Sequence, residues 1–477
     1  MVMSNDLFKN ASLILLSLLF LPLTTGITIW ASVVGWAFKR NAIRPETPRR
    51  NVLVTGVGMS KGLVLARAFH LAGHNVIGAD FEPSGALSMG RASKAISRFY
   101  RLRSVTSRDS STVYVQDLMK IIVTEKIDLW VSCSGVASAV EDGEAKEIIE
   151  KRTACRAVQF DIETTQTLHE KHTFIKHAGK CGLIIPATHT ITSTEAAARI
   201  LRNAPPDRKY IMKTIGVVDA ARADMTLLPK ATDEETSRHL QRLTITKECP
   251  WILQQYIKGE EFCTHAVVIR GQVKAFVACP SAELLMHYEM LPATSPLSMA
   301  MLAFTQRMAK VGGANFTGHL SFDFMVEEEE LTSRQPRLYP IECNPRAHTA
   351  VVLFAGTQTM VDSYMSFLDG DTASSLVTPA QLGGYKYYWI GHDLFTKVLR
   401  PTLALVSLQA TLRETLSQYL SFVNHILFWY DGTFAMWDPW PWWWLYHVYW
   451  PLRLWSYVRS GKRWSRINVS TTKVFEC

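Results

Sequence analysis

The feature that most limits what this chain can form is a segment of 28 residues without a charge, Ala11–Phe38. A segment of this length and composition can form a helix that crosses a lipid bilayer. Basic residues follow it between Lys39 and Arg50, so the positive-inside rule places the rest of the chain in the cytosol. We predict a single-pass anchor at residues 1–38, in the endoplasmic reticulum membrane, and a basic linker at residues 39–50. A cleaved signal peptide and a buried helix are the alternatives.

The net charge of +9 comes from two clusters near the ends of the chain. Residues 39–50 contribute +4 and residues 451–477 contribute +5, so the remainder is neutral overall. This distribution suits an anionic membrane surface better than nucleic acid, and we therefore predict membrane lipid and no nucleic acid among the partners. The eight cysteines contain no CxxC pair, which argues against a disulfide framework and against a zinc site, and fits a reducing compartment.

Strand-like and helix-like segments alternate from residue 51 to about residue 160, which predicts a parallel α/β unit. Its first turn, "GVGMSKG", places Gly56, Gly58 and Gly62 between a strand and a helix, and Asp80 ends the next strand. This approaches the dinucleotide-binding fingerprint, but the last spacing is one residue too long. An oxidoreductase is therefore a minor alternative. The other interpretation is that the glycines allow a tight turn and close packing of the helix.

Two later strand-like stretches carry the residues best suited to chemistry. "LYPIECNPRAHTA" (338–350) has four polar residues at alternate positions, Glu342, Asn344, Arg346 and His348. Side chains at alternate positions of a strand share one face. Asp323 lies in the preceding stretch, "HLSFDFMVE". If the two stretches pair as a hairpin, two carboxylates and an amide oxygen meet and form a set of hard oxygen ligands suited to Mg²⁺, with Mn²⁺ as an alternative ion.

"SFDF" and "ECNPR" resemble the two halves of the metal site of the ATP-grasp superfamily, in which an acidic residue on one strand precedes Glu-x-Asn, often Glu-x-Asn-x-Arg, on the next. The resemblance extends to the order of elements from about residue 51 to 370. It implies an α/β chain with a Rossmann-like pre-ATP-grasp domain at 51–160. A two-lobed α+β ATP-grasp domain would follow at 161–375, with its small central lobe at about 185–255.

The resemblance also implies ATP as cofactor and assigns roles to individual residues. Lys171 opens the central domain, and Lys213 contacts the nucleotide phosphates. Arg346 contacts the transferred phosphate or an acyl-phosphate, so Lys213 and Arg346 are the expected catalytic residues. The expected nucleotide-binding set is Lys171, Lys213, Gln254, Gln255, the backbone of Tyr256 and Ile257, and Glu261. The expected metal ligands are Asp323, Glu342 and Asn344.

The resemblance implies a Mg-ATP-dependent ligase, and the predicted N-terminal helix would anchor it in the membrane. It would join a small-molecule carboxylate to an amine through an acyl-phosphate, in specialised biosynthesis. One alternative is carbamoyl-phosphate-synthetase-like chemistry on bicarbonate. Another is a non-catalytic nucleotide-binding membrane protein, because the loop expected over the phosphates, "TIGVVDAARADM", has only one glycine, Gly216. We expect Arg222 to supply positive charge there instead.

The last hundred residues form a helical region rich in tryptophan, predicted at 376–477. Tryptophan and tyrosine are concentrated between residues 429 and 459, and both residue types favour the membrane interface. We predict that this region is associated with the membrane as a monotopic or re-entrant segment. A second, short transmembrane helix and an aromatic cap on the ATP-grasp lobe are the alternatives.

Overall fold

The computed structural model describes residues 2–37, 48–104, 108–133, 135, 138–214, 224–281, 286–370, 375–380 and 384–476. Most of the predicted basic linker and all of the loop 215–223, which includes Arg222, lie outside these residues. The helices are α1 (Val2–Ala37), α2 (Ser60–Leu71), α3 (Arg108–Thr124), α4 (Ala139–Arg152), α5 (Ile162–His169), α6 (Lys171–Lys180), α7 (Thr194–Arg202), α8 (Asp233–Leu240), α9 (Pro296–Gly312), α10 (Thr359–Asp369), α11 (Ile390–Asp393), α12 (Arg400–Val406), α13 (Leu412–Phe428), α14 (Trp440–Trp444) and α15 (Trp450–Ser460).

The strands form five sheets within the described part of the chain. Short π-helical turns, Leu394–Leu399 and Leu445–Tyr449, join α11 to α12 and α14 to α15. The strands are β1 (Asn51–Thr55), β2 (Asn75–Phe81), β3 (Arg98–Leu102), β4 (Leu129–Val131), β5 (Arg156–Val158), β6 (Thr188–Ile191), β7 (Tyr210–Thr214), β8 (Trp251–Gln255), β9 (Gly259–Ile269), β10 (Gln272–Pro280), β11 (Gly318–Glu327), β12 (Tyr339–Asn344), β13 (Tyr387–Tyr388), β14 (Tyr430–Asp431), β15 (Trp464–Asn468) and β16 (Lys473–Glu476).

The first sheet is parallel throughout, with strand order β3-β2-β1-β4-β5. Its central strands are nearly continuous apolar runs, as expected when helices cover both faces. The Gly-rich turn after β1 needs its glycines: Gly56 has φ +73°, and a Cβ on Gly58 would lie 2.7 Å from the Asp80 carboxylate. Asp80 itself accepts a hydrogen bond from the Gly58 amide at 2.5 Å. The carboxylate is thus used within the turn, which favours the tight-turn interpretation over a dinucleotide site.

Two antiparallel sheets follow. The smaller one has the order β6-β8-β7, and the larger one has the order β10-β9-β11-β12. One face of β11 carries Phe322, Phe324 and Val326, all fully buried, and the two phenylalanines pack edge-on against Phe304 of α9. This apolar face fixes the orientation of β11, because neighbouring residues on a strand point to opposite sides. Asp323 is thereby directed to the other face.

The aromatic C-terminal region packs on the first sheet's domain. Asp438 forms a buried ion pair with Arg67 of α2, at 2.9 Å, and the indole of Trp444 donates to the Leu87 carbonyl at 3.0 Å. Many of its tryptophans are buried: Trp389, Trp442, Trp450 and Trp464. Of the three interpretations offered by the sequence, this packing most resembles the aromatic cap, although the surface covered here belongs to the N-terminal domain.

Helix α1 is long and apolar enough to cross a membrane, by length and composition, over Asp6–Trp36. It also lies along the C-terminal region. The Trp464 indole donates to Asn10 at 2.9 Å, Ser17 donates to the Tyr446 carbonyl at 2.9 Å, and the Trp443 indole donates to Thr25 at 2.9 Å. The opposite side of the helix exposes large apolar side chains: Leu7, Phe8, Leu15, Leu18, Leu19, Leu23, Ile29, Trp30, Val33 and Trp36. One side of α1 is therefore bound to the protein and the other is open.

Candidate nucleotide and metal site

The candidate site is built on the hairpin of β11 and β12. These strands pair antiparallel, with Asp323 opposite Glu342 and Ser321 opposite Asn344. The Asn344 side chain donates to the Asp323 carboxylate at 3.3 Å. The hairpin expected from the sequence is therefore present, and it brings together the two carboxylates and the amide proposed as metal ligands. A break in the register directly after Asp323 shows that the strand is irregular at this residue.

The Asp323 carboxyl group lies in surroundings that disfavour its charge. Burial, followed by the nearby carboxylates of Glu342 and Glu261, raises the pKa of Asp323 to about 8. Its Oδ1 atom is buried and has no hydrogen-bond partner among the described residues. An oxygen in this condition costs folding free energy unless something binds it. Neighbouring carboxylate oxygens, one of them unpaired, fit a hard divalent cation such as Mg²⁺.

Basic side chains surround the carboxylates. Lys171, the first residue of α6, contacts Glu342 at 2.6 Å. Lys213 on β7 donates to the Gln254 side-chain oxygen at 2.7 Å. Burial and the nearby Lys171 lower the pKa of Lys213 to about 8. The site therefore combines a metal-suited carboxylate pair with ammonium groups that suit phosphate oxygens.

Arg346 lies just beyond the end of β12, and its amide donates to the Asn344 carbonyl at 2.8 Å. Burial lowers the pKa of its guanidinium group, while the charges of Glu342 and Asp323 oppose this effect. The Nη1 atom is buried without a hydrogen-bond partner in the described part of the chain. A buried, unsatisfied guanidinium nitrogen beside a carboxylate pair is suited to receive an anion such as a phosphate.

The expected adenine-facing residues lie at the end of β8, and several of their groups are already engaged. The Gln255 amide donates to the Ala187 carbonyl at 2.7 Å, and the Gln255 side-chain oxygen accepts from the Ala187 amide at 3.1 Å. The Tyr256 amide donates to the Lys209 carbonyl at 2.8 Å. These bonds join β8 to its neighbours. The Gln254 side chain is engaged as well, because it accepts from Lys213 at 2.7 Å and donates to Thr188 at 3.4 Å, and Ile257 is buried.

Glu261 and His348 occupy different environments. Glu261 is exposed at the start of β9, opposite Met325 of β11, and accepts from the Ser281 hydroxyl at 2.8 Å. His348 accepts from the Ala350 amide at 3.2 Å and caps a short 3₁₀ helix, Thr349–Phe354. Burial and the charge of Lys61 lower the pKa of His348 to about 3. His348 thus caps the 3₁₀ helix, whereas Glu261 lies near enough to Asp323 to raise the pKa of that carboxyl group.

Lys61 is a further basic group near the site that the sequence did not single out. It lies in the Gly-rich turn, is 3% exposed, and donates to the Ala347 carbonyl at 2.9 Å. Burial and the charge of Arg346 lower its pKa to about 7. A lysine at the start of a helix has no spacing relation to a residue 286 positions later, so only the tertiary fold brings it to the segment after β12.

Among the comparisons with known proteins, only the one with solved structures found matches. No protein-family model matches the chain, and no curated protein matches it. Among solved structures, the chain is similar to N5-carboxyaminoimidazole ribonucleotide synthetase in complex with ADP, with a TM-score of 0.51 and 15% identity over 76% of this chain and 88% of that one.

Two further solved structures are similar to the chain at lower TM-scores. L-amino acid ligase from Bacillus licheniformis has a TM-score of 0.47 and 13% identity, covering 68% of this chain and 75% of that one. The biotin carboxylase domain of Hydrogenobacter thermophilus 2-oxoglutarate carboxylase, a complex with MgADP, ADP and bicarbonate, has a TM-score of 0.49 and 12% identity, covering 69% and 72%.

The chain has the fold of the ATP-grasp superfamily, as the "SFDF" and "ECNPR" resemblance predicted.

Proposed function

We propose that the protein is a Mg-ATP-dependent ligase that forms a carbon–nitrogen bond between a carboxylate and an amine. The observation that carries this proposal is the Asp323–Glu342 pair on adjacent strands, flanked by Lys171 at 2.6 Å from Glu342 and by the unsatisfied guanidinium nitrogen of Arg346. Carboxylates for a metal beside basic groups for phosphate are the parts that phosphoryl transfer requires.

In this proposal Asp323, Glu342 and Asn344 hold Mg²⁺, which offsets negative charge on the phosphates when it is bound. No observation favours Mn²⁺ over it. Lys171 and Lys213 bind the nucleotide phosphates, and Lys171 gives up its contact with Glu342 to do so. Gln254, Ile257 and Glu261 lie toward the nucleoside. Gln255 and Tyr256 join β8 to its neighbours through bonds that are already made, and Gln254 would give up its bonds to Lys213 and Thr188.

The proposed reaction has two steps. A carboxylate oxygen attacks the γ-phosphorus of ATP, and ADP leaves, which gives an acyl-phosphate. The amine nitrogen attacks the acyl carbon, inorganic phosphate leaves, and the nitrogen loses a proton. Arg346 is placed to stabilise the phosphate that is transferred in the first step and released in the second.

Phosphate release with panels of carboxylates and amines tests this proposal. We expect release of phosphate and ADP only when ATP, Mg²⁺, one acid and one amine are present together. Bicarbonate belongs in the panel, because turnover with bicarbonate as the acid indicates carboxyphosphate chemistry instead. ATP binding without turnover for any pair would contradict a ligase and favour the non-catalytic nucleotide-binding protein. Specialised biosynthesis remains a proposal that depends on which pair reacts.

We also propose that the protein acts at the cytosolic surface of a membrane, with α1 as its lipid-contacting element. The support is the open side of α1, where Leu15 and Leu19 are 64% and 72% exposed. A second apolar surface lies where α12 meets α13: Val406 at the end of α12, Leu408 in the connection and Leu412 at the start of α13 are exposed. Because polar residues bind the other side of α1 to the C-terminal region, the membrane-associated part includes that region.

Flotation with vesicles that contain anionic lipid tests the membrane proposal. The double variant Leu15→Glu/Leu19→Glu should lose vesicle binding, because two buried charges in lipid are costly. Val123→Glu is the control. Val123 is 61% exposed, but it lies on α3, in the domain of the first sheet, and not on α1. Equal flotation of the wild type and the double variant would exclude α1 as the lipid contact.

A further inference from the structure

A second group of ligand-type side chains lies outside the proposed nucleotide site. His287 follows β10, Asp393 ends α11, and His425 lies in α13. The His287 Nε2 atom is 2.8 Å from Asp393 Oδ1, and the His425 Nδ1 atom is 2.5 Å from Asp393 Oδ2. One ligand atom from each residue lies within 4.8 Å of the other two. Three separate segments of the chain thus bring two imidazoles to the two oxygens of one carboxylate.

The burial and charge of this group suit metal ligands. Asp393 is 0% exposed and His425 is 8% exposed. A carboxylate removed from water in this way needs hydrogen bonds or a cation beside it, and both of its oxygens face imidazole nitrogens.

The surroundings of the group are largely aromatic. The Trp429 ring lies 5.7 Å from the His287 ring and 4.4 Å from the His425 ring, and Tyr388 lies 5.8 Å from His425. The His392 ring is 5.9 Å from that of His287. Lys397, which is buried, is the neighbouring cation and acts on the pKa of His425. Aromatic walls limit access of water and thereby strengthen the attraction between the carboxylate and a cation.

We propose that His287, Asp393 and His425 bind a divalent transition-metal ion, with Zn²⁺ preferred. Two imidazole nitrogens and one carboxylate oxygen favour Zn²⁺, Co²⁺ or Fe²⁺, whereas Mg²⁺ prefers oxygen ligands only. The ligand set differs entirely from the Asp323–Glu342 pair, so the proposal does not depend on the ligase activity. The bound ion joins the segment after β10 to the helices α11 and α13, and so fixes the base of the exposed α12–α13 hairpin.

Metal titration of the full-length protein in detergent tests the proposal. After treatment with EDTA and removal of any purification tag, we expect the wild type to bind one equivalent of Zn²⁺ without nucleotide. Removing a residue that only hydrogen-bonds to a metal ligand usually lowers metal affinity about 10- to 100-fold. Because His425 is itself a proposed ligand, His425→Ala should weaken Zn²⁺ binding by about 100-fold or more. Glu342→Gln should keep the full equivalent, which separates this site from the nucleotide site.

His239→Ala is the matched control, since His239 also lies beside a carboxylate, 3.8 Å from Asp224, but outside the group. It should keep the equivalent of Zn²⁺. Co²⁺ added to the wild type should give the visible absorption bands of a low-coordinate site and lose them when Zn²⁺ is added. This measurement is decisive even if His425→Ala fails to fold. No Zn²⁺ binding and no Co²⁺ bands in the wild type, or full binding by a folded His425→Ala, would overturn the proposal and leave a proton-sharing His–Asp–His network.

Discussion

Asp323 and Glu342 face each other across two adjacent antiparallel strands, and an oxygen of Asp323 is buried without a partner among the described residues. Two carboxylates held this close repel each other unless a cation or a proton lies between them. Glu342 is paired with Lys171 at 2.6 Å, so the Asp323 oxygen is the one left without a partner among the described residues. A cation-binding function is the simplest explanation of such an arrangement.

The first prediction concerns Glu342. Glu342→Gln keeps the size of the side chain and removes the charge that would hold Mg²⁺, so ATP turnover should fall by about 100-fold or more, as for other losses of charge stabilisation. Phosphate release measures this. Glu329→Gln is the control, because Glu329 is exposed in the short 3₁₀ turn after β11. Undiminished turnover in Glu342→Gln would remove Glu342 from the metal site.

The second prediction concerns stability without metal. The folded-state pKa of Asp323 is about 8, well above about 3.9 for an unfolded aspartate. Between these two pH values Asp323 is protonated in the folded state and ionised in the unfolded state. The free energy of unfolding therefore falls as the pH rises to 8. Asp323→Asn removes this penalty. In EDTA its Tm should exceed the wild-type Tm at pH 8.5 and match it near pH 4.

Thermal melting at several pH values measures the second prediction. Saturating Mg²⁺ should raise the Tm of the wild type at pH 8.5 and leave that of Asp323→Asn nearly unchanged. A constant difference in Tm between the two proteins at every pH would show that Asp323 does not titrate as the structure indicates.

The third prediction concerns nucleotide affinity and pH. The pKa of Lys213 is about 8, so its charged fraction falls about tenfold between pH 7 and pH 9. If the ammonium binds phosphate, the Kd for ADP measured in EDTA should rise by about tenfold over this range. Every protein in this measurement carries Asp323→Asn, because Asp323 titrates in the same pH range and its ionisation would also weaken ADP binding. Lys213→Arg should remove the dependence, because a guanidinium stays charged. A flat wild-type profile would contradict the role.

The fourth prediction concerns the C-terminal region. Asp438 is fully buried and pairs with Arg67, and it also accepts from Ser93 at 2.6 Å. Removing one partner of a buried ion pair costs about 3–5 kcal/mol, so Asp438→Ala should lower the free energy of unfolding by that amount. Lys462→Ala, from the exposed pair with Glu476, should cost about 0–1 kcal/mol. Equal small effects in denaturant unfolding would mean that the region is not an integral part of the fold.

The approach of Asp323 to Glu342 was predictable from the sequence because both residues lie on the same hairpin. Asp323 alternates with buried phenylalanines on its own strand, Glu342 and Asn344 stand two residues apart on the next strand, and a hairpin connects them. By contrast, Lys171 and Lys213 lie on other elements, and only the resemblance to ATP-grasp proteins singled them out. Spacing along one strand or one hairpin fixes relative position, whereas spacing between distant elements does not.

The remaining features depend on contacts between distant parts of the chain. Asp393 is 106 residues from His287 and 32 from His425, and no motif relates them. The polar residues of α1, such as Ser17 and Thr25, look incidental within an apolar segment, so the sequence predicts an independent anchor. Their hydrogen bonds to the C-terminal region show that α1 also has a protein-facing side. The aromatic residues around position 443 likewise serve partly as packing groups.

Because α1 packs against the C-terminal region, it cannot make these contacts until nearly the whole chain has been synthesised. Gly35 lies against Met436, roughly 400 residues later in the chain. At about 5–20 residues per second, α1 waits for something like 20 to 80 seconds before the surface that covers its polar side leaves the ribosome. For that time the helix is an isolated apolar segment, open to the membrane-targeting machinery and to chaperones. Under the membrane proposal made above, α1 would reach lipid before the body to which it finally binds has folded.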